Sequence, residues 1–335
     1  MTFDKIIQDL RNKIYHPVYF LHGNEPYYID IITDYIAEHV LDENEREFNQ
    51  TILYGKDVDV ATILANAKRF PMMSNYQVVI IKEAQDIKNF DKNEGLLYYL
   101  EKPLASTLLV FAYKHKTLDG RTKFSKQLAL KSVFFESKKM YDDKLPGWIS
   151  TYLQNKNYRI ATKASTLIAE NIGNDLNRIA NELDKLCLNL SPGKEVTIDE
   201  IEKYIGISKE FNVFELQHAL ARKDALKSNQ IINYFAANPK SNPLVLVIGN
   251  LYTYFSKILI YHQLTDKSRN SAASALGINA FFLKDYEQAA RAFPADKVFK
   301  IIEYLRDCDV KSKGVGSDNA EPGELLKELV FKILH

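Results

Sequence analysis

The sequence predicts an α/β domain built on a parallel sheet, followed by an all-α remainder. Three observations lead there. Short apolar runs recur at residues 18–21, 51–54, 78–81, 108–112 and 133–135, and three of them are continuous, as parallel strands covered on both faces require. Helical patterns lie between them, so strands and helices alternate as in a doubly wound fold. From about Asp142 onward strand patterns disappear and only helical periodicity continues. A chain of 335 residues is long enough for two or three domains. We place them at 1–141 for the sheet domain, 142–208 for a small helical domain and 209–335 for a larger helical one.

The first strand, Val18-Tyr19-Phe20-Leu21, runs into the turn Gly23-Asn24-Glu25-Pro26. Pro26 suits the first turn of a helix whose Ile29, Ile32, Ile36 and Val40 share one face. Val60, Ile63, Leu64 and Ala67 do the same in the next helix. In the second segment, Trp148, Ile149, Tyr152 and Leu153 mark one helix. Leu176, Ile179, Leu183 and Leu186 mark another, which Ser191-Pro192-Gly193 stops. Thr197 with Glu200 forms a capping box that opens a third. The last segment reads as helices at 213–222, 225–236, 243–264, 282–292, 295–311 and 323–334, with a loop at 313–317 before the final one.

Bulk properties set limits on function. The composition, 46% hydrophobic and 26% charged, is that of a soluble globular protein. A formal charge of +1 gives no bulk attraction to nucleic acid or to an anionic membrane, so any DNA contact must come from a local patch or a partner. Cys187 and Cys308 lack metal-ligand spacing and read as two reduced thiols. The first residues, Met1-Thr2-Phe3-Asp4-Lys5, lack the apolar run of a signal peptide. The most hydrophobic stretch, 244–264, contains Asn250, Lys257 and His262 and reads as a buried helix rather than a membrane span.

The turn after the first strand is where a nucleotide-binding α/β domain carries G-x-x-x-x-G-K-[ST]. Counted from Gly23, the last three positions are Tyr28, Ile29 and Asp30, so the second glycine, the lysine and the magnesium-binding hydroxyl are all missing. The strand Val78-Val79-Ile80-Ile81 ends in Lys82-Glu83, where an AAA+ ATPase has Asp-Glu to hold magnesium and activate water. Lysine at position 82 repels the metal. By itself this strand end reads equally as a buried strand with a charged terminus. Two sites broken in the same direction predict a protein that keeps the architecture of an ATPase without its chemistry.

Two further constellations stand out. Lys68-Arg69-Phe70-Pro71-Met72-Met73-Ser74 places three large apolar side chains in a connection, where loops ordinarily expose polar groups. Either they tuck under the sheet, or they form an exposed plug for a pocket on a partner, a role that suits Phe and Met. The basic run Lys114, Lys116, Arg121, Lys123 and Lys126, with His115 inside it, reads as a solvated helix face, with contact to DNA phosphates as the sharper alternative.

At these residues the chain resembles the delta-subunit family of the bacterial DNA polymerase III clamp loader over nearly its whole length. Val18–Pro26 resembles that family's opening strand and Gly-x-Glu-Pro turn, and Phe70-Pro71-Met72-Met73 before the strand 78–81 resembles its clamp-binding element. Further likenesses are Asp119-Gly120-Arg121-Thr122-Lys123, Gly173-Asn174-Asp175-Leu176 with Glu182-Leu183-Asp184-Lys185-Leu186, Val213-Phe214-Glu215-Leu216 with Ala219, and Asp307 with Lys311. No single piece is specific; their order and spacing are. One departure is that family members often carry Leu-Phe or Leu-Pro-Phe in the plug, which leaves the deepest anchor of this one open.

The resemblance implies a degenerate AAA+ domain, a small helical lid and a helical collar. It implies a cytoplasmic subunit of the replisome, with no cofactor and no intrinsic catalysis, within the nucleotidyltransferase complex. Its partners would be the sliding clamp (the beta subunit), the motor subunits and delta-prime through the collar, and primed DNA, with no membrane. The clamp-binding residues would be Phe70, Pro71, Met72 and Met73, with Lys114, Lys116, Arg121 and Lys123 as candidate DNA contacts. The alternative reading is a catalytically active AAA+ ATPase.

Overall fold

The structure is a computed structural model, and it describes residues 1–90, 93–208, 210–314 and 321–335. The chain divides into two compact units, Met1–Met140 and Tyr141–His335.

The first unit runs α1 (Phe3–Arg11), β1 (Val18–Gly23), α2 (Pro26–His39), α3 (Glu43–Asn49), β2 (Gln50–Tyr54), α4 (Val60–Ala67) and β3 (Gln77–Lys82). It continues with α5 (Glu94–Glu101), β4 (Thr107–Lys114), α6 (Lys123–Lys131) and β5 (Val133–Ser137). All five strands lie where the apolar runs placed them. They form one parallel sheet in the order β2-β3-β4-β1-β5.

Side chains alternate between the two faces of a strand, and here each face is buried against helices. Val18, Phe20, Val79, Ile81, Leu109 and Phe111 pack with Ile63 of α4, Leu96 of α5 and Leu128 of α6. Tyr19, Leu21, Val78, Ile80 and Val110 pack with Ile6 and Leu10 of α1 and with Ile29, Ile32 and Ile36 of α2. This double cover explains why the central strands are continuous apolar runs rather than alternating ones. Parallel pairing also brings the C-terminal ends of β1, β3 and β4 to one edge of the sheet, with Gly23 opposite Lys114. In open parallel sheets that edge is where ligand sites form.

The second unit runs α7 (Leu145–Asn155), β6 (Arg159–Ile160), α8 (Thr162–Ile172), α9 (Leu176–Leu188), β7 (Glu195–Val196) and α10 (Ile198–Ile205). Then follow α11 (Val213–Ala221), α12 (Ala225–Ala237), α13 (Leu244–Gln263), α14 (Arg269–Leu276), α15 (Leu283–Ala292), α16 (Ala295–Ser312) and α17 (Pro322–Leu334). Its main core gathers Leu216, Leu220, Ile231, Phe235, Leu251, Phe255, Ile301, Leu305 and Leu329. Segments 142–208 and 209–335 both fall within this unit.

Three expectations need correction. Strands do not vanish after Asp142, because β6 and β7 pair in parallel through Arg159 with Glu195 and Ile160 with Val196. Two residues per strand are too few to leave a periodic signal. The stretch read as a buried helix, now α13, buries one face through Val247, Ile248, Leu251, Tyr254, Phe255 and Ile258, while Val245, Tyr252 and Ile260 are exposed. By length and composition α13 is long and apolar enough to span a bilayer, a test that the core helix of a soluble protein also passes. Helix α14 carried no strong apolar period, since it packs through Ala272, Ala273 and Leu276. Of the loop expected at 313–317, residues 315–317 lie outside the described residues.

Candidate functional site

The turn between β1 and α2 is closed from within. Gly23 has φ +138°, and a Cβ there would sit 2.0 Å from the carbonyl oxygen of Ser137 at the end of β5. Its amide donates to Lys116 O at 3.1 Å, and the Glu25 amide donates to Ser137 O at 3.2 Å. The Ser137 hydroxyl donates back to Glu25 O at 2.7 Å. The buried Glu25 side chain caps α2 by accepting from the Tyr27 amide at 3.2 Å, and Pro26 takes the first helical position. A phosphate-binding turn works by aiming such amides at its ligand; here Gly23, Glu25 and Tyr27 aim theirs at the chain itself. At the last three motif positions, Ile29 is buried in the core, the Tyr28 ring packs on Phe3 with centroids 4.7 Å apart, and Asp30 faces a lysine.

That lysine is Lys114, the last residue of β4. Its Nζ lies 2.6 Å from Asp30 Oδ1 and 3.4 Å from Glu83 Oε1. Gln85 ties the group together, because its Oε1 accepts from the Lys114 amide at 2.9 Å and its Nε2 donates to Glu83 Oε2. Burial alone would raise the Glu83 carboxyl, but the Gln85 hydrogen bond and the Lys114 charge outweigh it and hold the group below its usual range. Burial would likewise lower Lys114, and its bonds to Asp30 and Glu83 raise it instead. Beside them, Lys82 Nζ is 3.9 Å from Asp34 Oδ1, and burial, with Lys82 opposing it, pushes the Asp34 carboxyl up. A protein ammonium therefore sits between the carboxylates at the edge where a nucleotide-bound cation would be held. Among the described residues no group of three or more His, Cys, Asp or Glu side chains could bind a metal.

The connection from α4 to β3 does not tuck under the sheet. Phe70, Met72 and Met73 are 76%, 57% and 102% exposed, and Pro71 beside them is half-buried. Asp59 caps α4 by accepting from the Thr62 amide at 2.8 Å, and the helix ends at Lys68, so the chain leaves it just before the apolar triplet. The backbone of the loop is held by Asn49, the buried last residue of α3. Asn49 Oδ1 accepts from the Met72 amide at 2.6 Å, and Asn49 Nδ2 donates to Met72 O at 2.9 Å.

The basic run is not one helix face. Lys114 lies at a strand end with a side chain only 14% exposed and is held by two carboxylates, so it is no free surface cation. Lys116 is exposed in the connection after it. Exposed Arg121 clasps Asp119 at 2.8 Å in the turn before α6, and those bonds hold the Asp119 carboxyl at about 2. Lys123 and Lys126 are exposed on α6. Sequence reasoning missed both Asn49 and the role of Lys114. No signal in the spacing marked Lys114, because only the strand order of the fold puts the end of β4 beside the β1 turn. None existed for Asn49 either, which acts across 23 residues of chain.

Comparison with known proteins bears on this geometry. The family described as DNA polymerase III, delta subunit, matches residues 19–138. The DNA polymerase III subunit delta of Bacillus subtilis (strain 168) is 24% identical over 337 residues, spanning 98% of this chain and 95% of that protein. Among solved structures, the Bacillus subtilis DNA clamp loader delta protein superposes with a TM-score of 0.59 at 23% identity, covering 99% of both chains. At that identity the superposition shows a shared fold. In sequence and in fold, this chain is similar to the delta subunits of DNA polymerase III.

Proposed function

We propose that this chain binds the sliding clamp and opens it for loading onto primed DNA, and that it does so without hydrolysing ATP. The observation that carries the proposal is the exposed triplet Phe70, Met72 and Met73 on a loop fixed by Asn49. Large apolar side chains held in water on a fixed loop are the form of an anchor for a partner's pocket. A clamp opener must bind the open ring more tightly than the closed one, because equal affinity shifts nothing. The plug supplies the affinity: burial of two or three such side chains contributes roughly 1.5–3 kcal/mol each.

The sheet edge supports the second half of the proposal. The turn amides are bonded internally and Lys114 occupies the space between Asp30 and Glu83, so a nucleotide would have to break both arrangements. ATP hydrolysis falls instead to motor subunits, which assemble with this chain and with delta-prime through residues 209–335. In the assembled cytoplasmic complex, Lys116, Arg121 and Lys123 face DNA phosphates.

The test is to titrate the purified chain with the sliding clamp of the same organism and to follow ring opening with a fluorescence pair across one clamp interface. Saturable binding with opening in the absence of ATP is expected. ATP turnover by the isolated chain, abolished in Glu83→Gln, would establish the opposing ATPase reading.

A further inference from the structure

We infer that Asn49 is the positioning residue of the clamp-binding loop, a clasp that holds Phe70, Met72 and Met73 in their presenting conformation before any partner arrives. The inference rests on the clamp-binding reading for its partner, and on the geometry alone for the clasp itself.

Asn49 is 2% exposed at the end of α3, yet its amide belongs to neither the core nor its own helix end alone. Its Oδ1 accepts from the Met72 amide, while its Nδ2 donates to Met72 O at 2.9 Å and to Glu45 O at 3.2 Å. The two bonds to one backbone unit fix the orientation of the side chain, because an amide N–H must meet the carboxamide oxygen and a carbonyl must meet the NH2 group. Glu45 is itself set by the capping box with Asp42, whose amide donates to Glu45 Oε2 at 3.0 Å, so the clasp is mounted on a helix whose first turn is capped.

The far side of the loop is also tied, since Gln77 Nε2 at the start of β3 donates to Asn66 O in α4 at 2.9 Å. Between these ties Met73 takes φ +52°, a left-handed conformation unfavourable for a residue with a long side chain. A free loop would leave that conformation and fold its three apolar side chains inward, away from water. The clasp opposes this by giving the Met72 backbone both of its hydrogen bonds only in the presenting arrangement. Asn49 itself need not touch the partner, and its effect runs through the fraction of molecules ready to bind.

That mechanism has a kinetic signature. When only a fraction of molecules is competent, apparent affinity falls by that fraction, and the loss appears in association rather than dissociation. In the full-length chain, Asn49→Ala is expected to slow association with the sliding clamp about tenfold, with an unchanged dissociation rate, as the competent fraction falls. Asn49→Asp, which keeps the shape but cannot donate to Met72 O, should follow it and serves if the alanine variant folds poorly. Adding Asn49→Ala to a chain already stripped of all three anchors by Phe70→Ala, Met72→Ala and Met73→Ala should cost nothing further. Independently of any partner, hydrogen exchange in the wild-type chain should show the Met72 amide protected relative to Met73, and the protection should disappear in Asn49→Ala.

Equal exchange of Met72 and Met73 in the wild-type chain would overturn the clasp. So would unchanged association, or a loss confined to dissociation, in the variants. A wild-type chain that ignores the clamp while keeping Met72 protected would sink the clamp-binding reading and leave the clasp standing.

Discussion

Lys114 Nζ lies 2.6 Å from Asp30 Oδ1, so the last residue of β4 is fastened to the first half of α2. With Glu83 Oε1 at 3.4 Å, one ammonium serves two carboxylates from different elements. Lys114→Met should leave those carboxylates facing each other without a counter-charge. Their side chains keep 34% and 38% of their surface in water, which limits the loss to about 1–2 kcal/mol. The sign of the pH dependence comes from both partners. The lowered Glu83 contributes stability above the ordinary carboxylate range and loses it as pH falls through its folded value. The raised Lys114 contributes below the ordinary lysine value and loses it as pH rises through its own. Urea melts of the wild-type chain and Lys114→Met should therefore differ most between about pH 5 and 10 and converge near pH 3. The variant should gain no ATP binding, because the turn amides remain bonded to Lys116 and Ser137.

Gly23 is glycine for a reason the fold itself supplies. A Cβ at that position meets Ser137 O at 2.0 Å, and φ +138° disfavours any L side chain. Gly23→Ala should destabilise the first unit by about 2–4 kcal/mol. Chemical denaturation followed by aromatic fluorescence would measure it, and a loss below about 0.5 kcal/mol, the range of an ordinary surface change, would mean that the turn is not closed on Ser137.

Much of this was legible in the residues. The five strands announced themselves as apolar runs, because strands covered on both faces cannot hide their composition, and the absent Gly-Lys-Ser/Thr positions after Gly23 were plain. What the sequence withheld is of two kinds. Short or small-residue elements such as β6, β7 and α14 carry too little periodicity to register. Pairings across space are invisible to spacing, so Lys114 read as part of a basic patch although the fold turns it toward Asp30, and Asn49 gave no sign that it holds Met72. The apolar triplet at Phe70, Met72 and Met73 lay between: sequence identified it as unusual, and only the fold decided between core and surface.

Because that triplet stands in water, its loss should leave the fold intact. Met72→Ala with Met73→Ala removes two exposed side chains and no backbone bond, so the melting temperature should stay close to that of the wild-type chain. Affinity for the sliding clamp should fall about a hundredfold or more, the equivalent of roughly 2.7 kcal/mol. A titration against labelled clamp reads this directly, and unaltered affinity would move the contact away from Met72 and Met73.

Glu170 should make the second unit less stable as pH rises. It lines a cavity of about 560 Å³ together with Lys257, Tyr254 and Tyr286, and its Oε2 is buried without a hydrogen-bond partner. Burial pushes its carboxyl up to about 8, with Lys257 pulling the other way. An acid raised in the folded state keeps its proton while the unfolded chain has already lost its own, so the folded state binds more protons between the two values. Stability from this group is complete below the ordinary glutamate value and declines until the pH passes about 8. Glu170→Gln removes the titration and keeps the shape, so it should flatten that decline and stabilise the chain by about 1–3 kcal/mol at pH 8, with little effect near pH 4.5. Melts of both proteins from pH 5 to 9 measure the difference, and parallel curves would show that Glu170 is ionised in the folded chain at neutral pH.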